Sequence, residues 1–231
     1  MRIAVFGANG PTGRLVTDQA LTAGHDVVAV TRRPDAFPLH HDRLTVARAD
    51  VLDRTKIAPA LAGTDTVLST LGVPFGKTPV VTYSHGAANI IAAMNRHGVR
   101  RLVAVTSSAV DPHPYADAGF LFNRVLQPYV ANVLGKTVYD DMRRMEDLVR
   151  ASTVDWTIVR PAGLYDRPDI TAYQIAEGRA EGRFTARTDL AACLLALADD
   201  DRYLRKAVGV ITTVGNPSFF RIARKEAFAN R

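Results

Sequence analysis

Gly7, Gly10 and Gly13 stand three residues apart, directly after the apolar run Ile3-Ala4-Val5-Phe6. Where a strand turns into a helix, that spacing has a chemistry. The first glycine permits a tight turn, the second lets backbone approach a pyrophosphate, and the third lets the helix press against the sheet. Free N–H groups at the helix start then face the phosphates. Gly7, Asn9, Gly10, Pro11, Thr12 and Gly13 are therefore the candidate contacts of a dinucleotide. At the end of the next apolar run, where an acid would take the ribose 2′-hydroxyl, stand Thr31, Arg32 and Arg33. A guanidinium grips a 2′-phosphate that a carboxylate would repel, so Arg32 and Arg33 point to NADP(H).

Further candidates lie at the carboxyl ends of later strands, where ligands gather in open α/β sheets. Asp50 and Val51 follow the third strand and are expected to face the adenine. Thr70-Leu71-Gly72 ends the fourth strand, Thr106-Ser107 the fifth, and Pro161-Ala162 the sixth.

For proton transfer the chain offers Tyr139-Asp140-Asp141-Met142-Arg143, with Arg where a dehydrogenase has the lysine of Tyr-x-x-x-Lys. The i, i+4 spacing puts Tyr139 and Arg143 on one helical face. An arginine lowers a phenol pKa by its charge but cannot relay a proton. Tyr139 is read either as an acid or as a pocket wall. Ser107 is read either as a contact to the acceptor and nicotinamide carboxamide or as a serine capping local backbone. The histidines show no metal-ligand spacing, and no metal is expected. Cys193, the sole cysteine, lies in an apolar run and reads as a small buried hydrophobe.

These residues need a scaffold, and the hydrophobic periodicity supplies one. Strands are predicted at Arg2–Phe6, Asp26–Thr31, Leu44–Ala47, Thr66–Thr70, Arg101–Thr106, Trp156–Val159 and Val208–Thr212. Helices are predicted at Thr12–Ala23, with Val16, Ala20 and Ala23 on one face, then at Lys56–Leu61, around Ala87–Met94, at Tyr139–Ala151 and at Leu190–Leu197. Strands apolar on both faces and separated by helices imply a doubly wound parallel sheet, an α/β fold of the Rossmann kind. Residues 1–214 are read as one domain with small substrate-site insertions, and 215–231 as a C-terminal helical tail whose Phe219, Ile222 and Phe228 pack on the domain or on a second subunit.

Composition narrows the function class. With 231 residues, 47% hydrophobic and 23% charged, the chain can bury the core of one domain. The net charge of +6 comes from scattered pairs such as Arg100-Arg101 and Arg143-Arg144, with no basic stripe interleaved with aromatics. No nucleic-acid partner is expected. No apolar run approaches the length of a membrane span and no leader pattern opens the chain, which predicts a cytoplasmic protein, monomeric or homodimeric.

Taken together, the chain resembles the atypical short-chain dehydrogenases/reductases, and most of all the NADPH-dependent flavin reductase/biliverdin reductase B group. The Gly7–Gly13 loop, Arg32, Ala49-Asp50-Val51-Leu52, Gly86 to Met94, Val105-Thr106-Ser107, Asp140 to Met145, Trp156 to Pro161 and Thr188-Asp189-Leu190 carry the resemblance. It implies hydride transfer from NADPH to a planar conjugated acceptor such as a quinone, flavin or tetrapyrrole, with Ser107 beside the nicotinamide. Met142 and Gly163 stand where the group carries histidines, and Pro74 where it has an arginine, which weakens biliverdin itself as substrate. The alternatives are a redox sensor resembling the NmrA-like regulators and a carbonyl reductase using Tyr139. A sugar-nucleotide epimerase or dehydratase is disfavoured, because the chain after Pro161 is short for a substrate domain.

Overall fold

The computed structural model describes residues 1–111, 120 and 122–215. Its strands are β1 (Arg2–Phe6), β2 (Asp26–Thr31), β3 (Leu44–Arg48), β4 (Thr66–Ser69), β5 (Arg101–Val105), β6 (Asp155–Pro161), β7 (Gly163–Tyr165), β8 (Tyr173–Glu177), β9 (Phe184–Ala186) and β10 (Lys206–Thr212). The helices are α1 (Pro11–Thr22), α2 (Arg54–Ile57), α3 (Thr82–His97), α4 (Gln127–Tyr129, between the π-wound turns Phe122–Leu126 and Val130–Leu134), α5 (Lys136–Ala151) and α6 (Arg187–Leu197). The main sheet runs β3-β2-β1-β4-β5-β6-β10-β8, parallel throughout except that β8 runs antiparallel to β10. The order reverses between β1 and β4, and that switch point opens a crevice at the carboxyl ends of the strands.

Side-chain alternation builds the two layers. Along β1, Ala4 and Phe6 face one layer with Ile57, Leu61, Ile90, Met94, Met145 and Val149. Ile3 and Val5 face the other with Val16, Ala20, Leu190 and Leu194. Each fully buried Leu, Ile or Phe contributes ~1.5–3 kcal/mol, so both layers hold the sheet rigidly beneath the crevice. Cys193 is wholly buried in the second layer, and burial pushes its thiol up to about 12, far from a nucleophile. Arg101, also buried, ties β5 to β6 and to the end of α6 through Thr157 Oγ1 (2.9 Å) and the Leu197 carbonyl (2.6 Å). Among the described residues, no helix is long and apolar enough to cross a membrane.

Three readings shift. Ala23 is exposed rather than packed with Val16 and Ala20, because α1 ends at Thr22 and the chain reverses at Gly24, φ +90°. Thr17 and Leu21 complete the buried stripe instead. The predicted helix Lys56–Leu61 divides into α2 and a 3₁₀ turn, Ala58–Leu61, with Pro59 near the junction. The strands β7, β8 and β9 were not expected from the pattern. Of the tail, residues 216–231, including Phe219, Ile222 and Phe228, lie outside the described residues.

Candidate dinucleotide site

β1 delivers the chain into the crevice, and Gly7 turns it there with φ +76°. A Cβ at Gly7 would lie 2.6 Å from the Thr70 carbonyl oxygen, so only glycine fits between the ends of β1 and β4. Gly13 is tighter: its Cβ would meet the Gly7 carbonyl oxygen at 2.3 Å and Ala8 Cα at 2.8 Å. That contact sets the start of α1 down on the loop. Gly10 has φ −75°, ordinary extended backbone, so its value lies in the space above it rather than in conformational freedom. The first turn of α1 has no side-chain cap and no acidic residue, and Pro11 stands in it. The N–H groups of Thr12 and Gly13 therefore project from the helix end, where an anion suits both them and the helix dipole. A glycine-walled cradle beneath uncapped donors fits a pyrophosphate.

The flanks suit the rest of a dinucleotide. Phe6 pairs with Val30, and the Ala8 N–H donates to the Val30 carbonyl, so the end of β2 lies beside the loop. Arg32 and Arg33 follow there, both exposed. The Arg33 N–H donates to Thr31 Oγ1 at 3.2 Å, and Arg32 has no ion pair among the described residues. Sequence reasoning missed Arg14, whose Nε and Nη2 both donate to Asn9 Oδ1 at 3.0 and 2.7 Å. The signal was present in the loop Gly7-Ala8-Asn9-Gly10-Pro11-Thr12-Gly13-Arg14, as a cation one turn into the helix. Beyond β3, Asp50 Oδ1 accepts from the Leu52 N–H at 3.0 Å, and the Val51 carbonyl accepts from Asn89 at 2.9 Å. Val51 and Leu71 press together over Gly86, where a Cβ would meet both at 3.1 Å. They form a fixed apolar wall between β3 and β4, with Gly72 exposed beside it.

Not every predicted residue turns to the crevice. Thr70 spends its hydroxyl on the Phe6 carbonyl at 2.9 Å, which locks the ends of β1 and β4 together. Thr106 donates inward to Glu146 Oε1 at 2.9 Å. Glu146 in turn receives Arg160 bidentately, at 2.9 and 2.5 Å, and Arg150 at 3.3 Å. Burial works against the charged Glu146 carboxylate, yet Arg160, Thr106 and Arg150 outweigh it and hold its pKa below the ordinary value. This group braces β5, α5 and β6 directly under Ser107.

Ser107 is half-buried, and its Oγ accepts from the Ala109 N–H at 3.2 Å, capping the 3₁₀ turn Ser108–Val110. The hydroxyl proton and a second lone pair remain available for another contact. A cleft beside it is lined by Ser108, Asp111, Arg160, Ala162 and Arg179. Pro161 and Ala162 are buried at the end of β6, with the Ala162 N–H bound to Thr185. Tyr139 is buried too and meets Phe75 edge-on, ring centroids 5.7 Å apart. Phe75 is half exposed, so the accessible aromatic surface of the pair is that of Phe75, with Tyr139 buried behind it. Arg143 does share a face with Tyr139, but its guanidinium is bound to Asp140 Oδ1 (2.8 Å) and the Val110 carbonyl (2.9 Å). Among the described residues no cluster of His, Cys, Asp and Glu has the arrangement of a metal site.

Comparison with known proteins agrees with this geometry. Residues 7–201 match the NAD(P)H-binding family. An uncharacterized protein of Mycobacterium tuberculosis is 34% identical over 171 residues, which are 72% of this chain but 18% of that protein. The chain thus spans less than a fifth of the length of that relative. An uncharacterized sugar epimerase of Bacillus subtilis is 28% identical over 211 residues, covering 87% of this chain and 89% of its own. Among solved structures, a short-chain dehydrogenase/reductase of Veillonella parvula in complex with NADP superposes with TM-score 0.77 at 20% identity, over 94% of this chain and 99% of that one. The anaerobilin reductase ChuY of Escherichia coli O157:H7 does so with TM-score 0.70 at 22% identity, over 94% and 100%. These two likenesses show the Rossmann fold. With a family match running from the first glycine of the loop to beyond α6, the chain belongs to the NAD(P)H-binding family, and NAD(P)H is its cofactor.

Proposed function

We propose that this protein is an NADPH-dependent oxidoreductase that reduces a planar conjugated acceptor such as a quinone, a flavin or a tetrapyrrole. The observation that carries the reading is the arrangement around α5. An aromatic pair, Phe75 and Tyr139, borders the crevice, while Arg143 is committed to Asp140 and the Val110 carbonyl. A site so built offers the exposed Phe75 ring, backed by Tyr139, to a ring system and holds the guanidinium of the Tyr-x-x-x-Arg spacing in a structural role.

When bound, NADPH supplies a hydride. The residues of this chain hold and orient: Gly7, Asn9, Gly10, Pro11, Thr12 and Gly13 receive the pyrophosphate, and Arg32, Arg33 and Arg14 take the 2′-phosphate. Asp50, Val51, Leu71 and Gly72 border the adenosine half. Thr70 and Thr106 keep the strand ends in place, and Ser107, with Pro161 and Ala162 behind it, orients the nicotinamide against the acceptor. A reduced conjugated ring delocalises its charge and takes a proton from water, so orientation rather than acid catalysis supplies most of the rate. The ChuY likeness supports a tetrapyrrole among the acceptors.

The test is NADPH consumption, followed by absorbance, across a panel of quinones, flavins and tetrapyrroles. Turnover with members of the panel is the expected result. Tight NADPH binding without turnover on any of them would replace the proposal with a dinucleotide sensor, and turnover confined to aldehydes and ketones would replace it with a carbonyl reductase.

A further inference from the structure

The sheet has a second concavity, between α2 and the edge formed by β2 and β3. Because α2 is only four residues long, it leaves part of the β2–β3 face uncovered. The result is a cleft of about 370 Å³. Val28 from β2 with Thr45 and Ala47 from β3 form its floor, and Pro59 and Ala60 form a wall. Its polar rim is cationic throughout: Arg2 from the start of β1, Arg48 from the end of β3 and Lys56 from α2, with the hydroxyls of Thr45 and Thr55. No carboxylate lines it.

Two of the cations are partly neutralised from outside. Arg48 pairs with Asp35 at 2.7 Å, and Lys56 with Asp53 at 3.5 Å; Asp53 also accepts from the Thr55 hydroxyl at 2.6 Å. Arg2 differs. Its backbone N–H donates to Asp65, but its side-chain Nε is buried with no hydrogen-bond partner among the described residues. The guanidinium as a whole has no ion pair among the described residues, so of the three cations it is the one left to take an anion. The volume is that of a small-molecule site, and the floor is apolar.

We propose that this cleft binds a small organic anion with an apolar body, its carboxylate or sulfonate on Arg2 and Lys56 and its hydrophobic part on Val28, Ala47 and Ala60. The site is independent of the reaction proposed above. Arg2 begins β1 while the dinucleotide loop follows its end; Arg48, at the other end of the cleft, pairs in register with Thr31 beside Arg32, and for that reason the probe is tested with the dinucleotide site filled.

1-Anilinonaphthalene-8-sulfonate serves as the probe, because its fluorescence rises in an apolar site and it carries one negative charge. It is titrated into the full chain held in saturating NADP⁺. Saturable binding to one site is expected, weakened at least about fivefold in Arg2→Gln, with the uncharged N-phenyl-1-naphthylamine weaker by a similar factor. Thr45→Trp, which fills the floor, is expected to abolish binding, and thermal melting identifies any variant that has not folded. If Thr45→Trp does not fold, Arg2→Gln decides alone, since its change is a rim charge. Failure of the probe to bind while NADP⁺ is saturating, unchanged affinity in Arg2→Gln, or equal binding of the uncharged analogue would each overturn the proposal.

Discussion

Gly13→Ala places one methyl group where the structure has none to spare. The new Cβ would stand 2.3 Å from the Gly7 carbonyl oxygen and 2.8 Å from Ala8 Cα, both backbone atoms that no rotamer change can move. Ordinary contact between carbons needs ~3.5–4.0 Å, so α1 and the loop must part by about 1 Å. Neither side yields freely. Gly7 is itself held 2.6 Å, measured from its own would-be Cβ, off the Thr70 carbonyl, and α1 is packed on α6 through Val16 and Ala20. Overpacking of this kind costs ~1–3 kcal/mol of stability. For a domain of this size that lowers Tm by roughly 2–12 °C. The same displacement draws the Thr12 and Gly13 N–H groups from the phosphates. Losing a charge-assisted bond of ~1.5–3 kcal/mol weakens NADPH by roughly ten- to a hundredfold. Fluorescence titration with NADPH, alongside thermal melting, measures both. Gly10→Val is the companion: φ −75° accepts any residue, and the Cβ sits 3.2 Å from the Gly7 oxygen, so the fold survives while backbone approach to the ligand is lost. Wild-type affinity in Gly13→Ala, or an intact nucleotide site in Gly10→Val, would refute the loop assignment.

Other consequences follow from the same geometry. Arg32→Ala is expected to erase a preference for NADPH over NADH of about tenfold or more, read by titrating both cofactors, because it removes a charge-assisted contact to the 2′-phosphate. Ser107→Ala should reduce kcat/KM roughly five- to a hundredfold while Tyr139→Phe keeps most activity, measured by single-turnover hydride transfer to a quinone; the reverse ranking would indicate acid catalysis on a carbonyl. Asp141, wholly buried, accepts from the Tyr83 N–H (2.8 Å), the Ser84 N–H (3.3 Å) and the Ser84 hydroxyl (2.5 Å), capping α3 from α5. Asp141→Ala leaves those donors unsatisfied and should cost about 3–5 kcal/mol in urea unfolding, with Asp141→Asn costing less. Glu146 has its folded pKa held below the ordinary 4.5, so its contribution is complete above that pH and is lost as the pH falls through the folded value. Urea midpoints should therefore fall more steeply with acidification below pH 4.5 in the wild type than in Glu146→Gln.

How much of this was legible in the residues depends on how local the cause is. The Gly7–Gly13 loop could be read because a strand, a glycine turn and a helix start are each a matter of neighbours, and α3 because Ala87, Ile90 and Met94 repeat with the helical period. The parallel sheet could be read for the same reason, since strands buried on both faces, such as Leu102-Val103-Ala104, are apolar without alternation. The three-residue strands β7 and β9 escaped, because such short segments owe their conformation to each other across the register Gly163↔Phe184. Polar partners escaped as well. Helical spacing placed Arg143 beside Tyr139, yet the Val110 carbonyl and Asp140 hold it; Thr106 was expected at the ligand and donates to Glu146. Periodicity records which face of an element is apolar, and that is a property of the segment alone. Which acceptor a buried donor finds depends on what the fold brings within about 3 Å, and only the packed chain decides that.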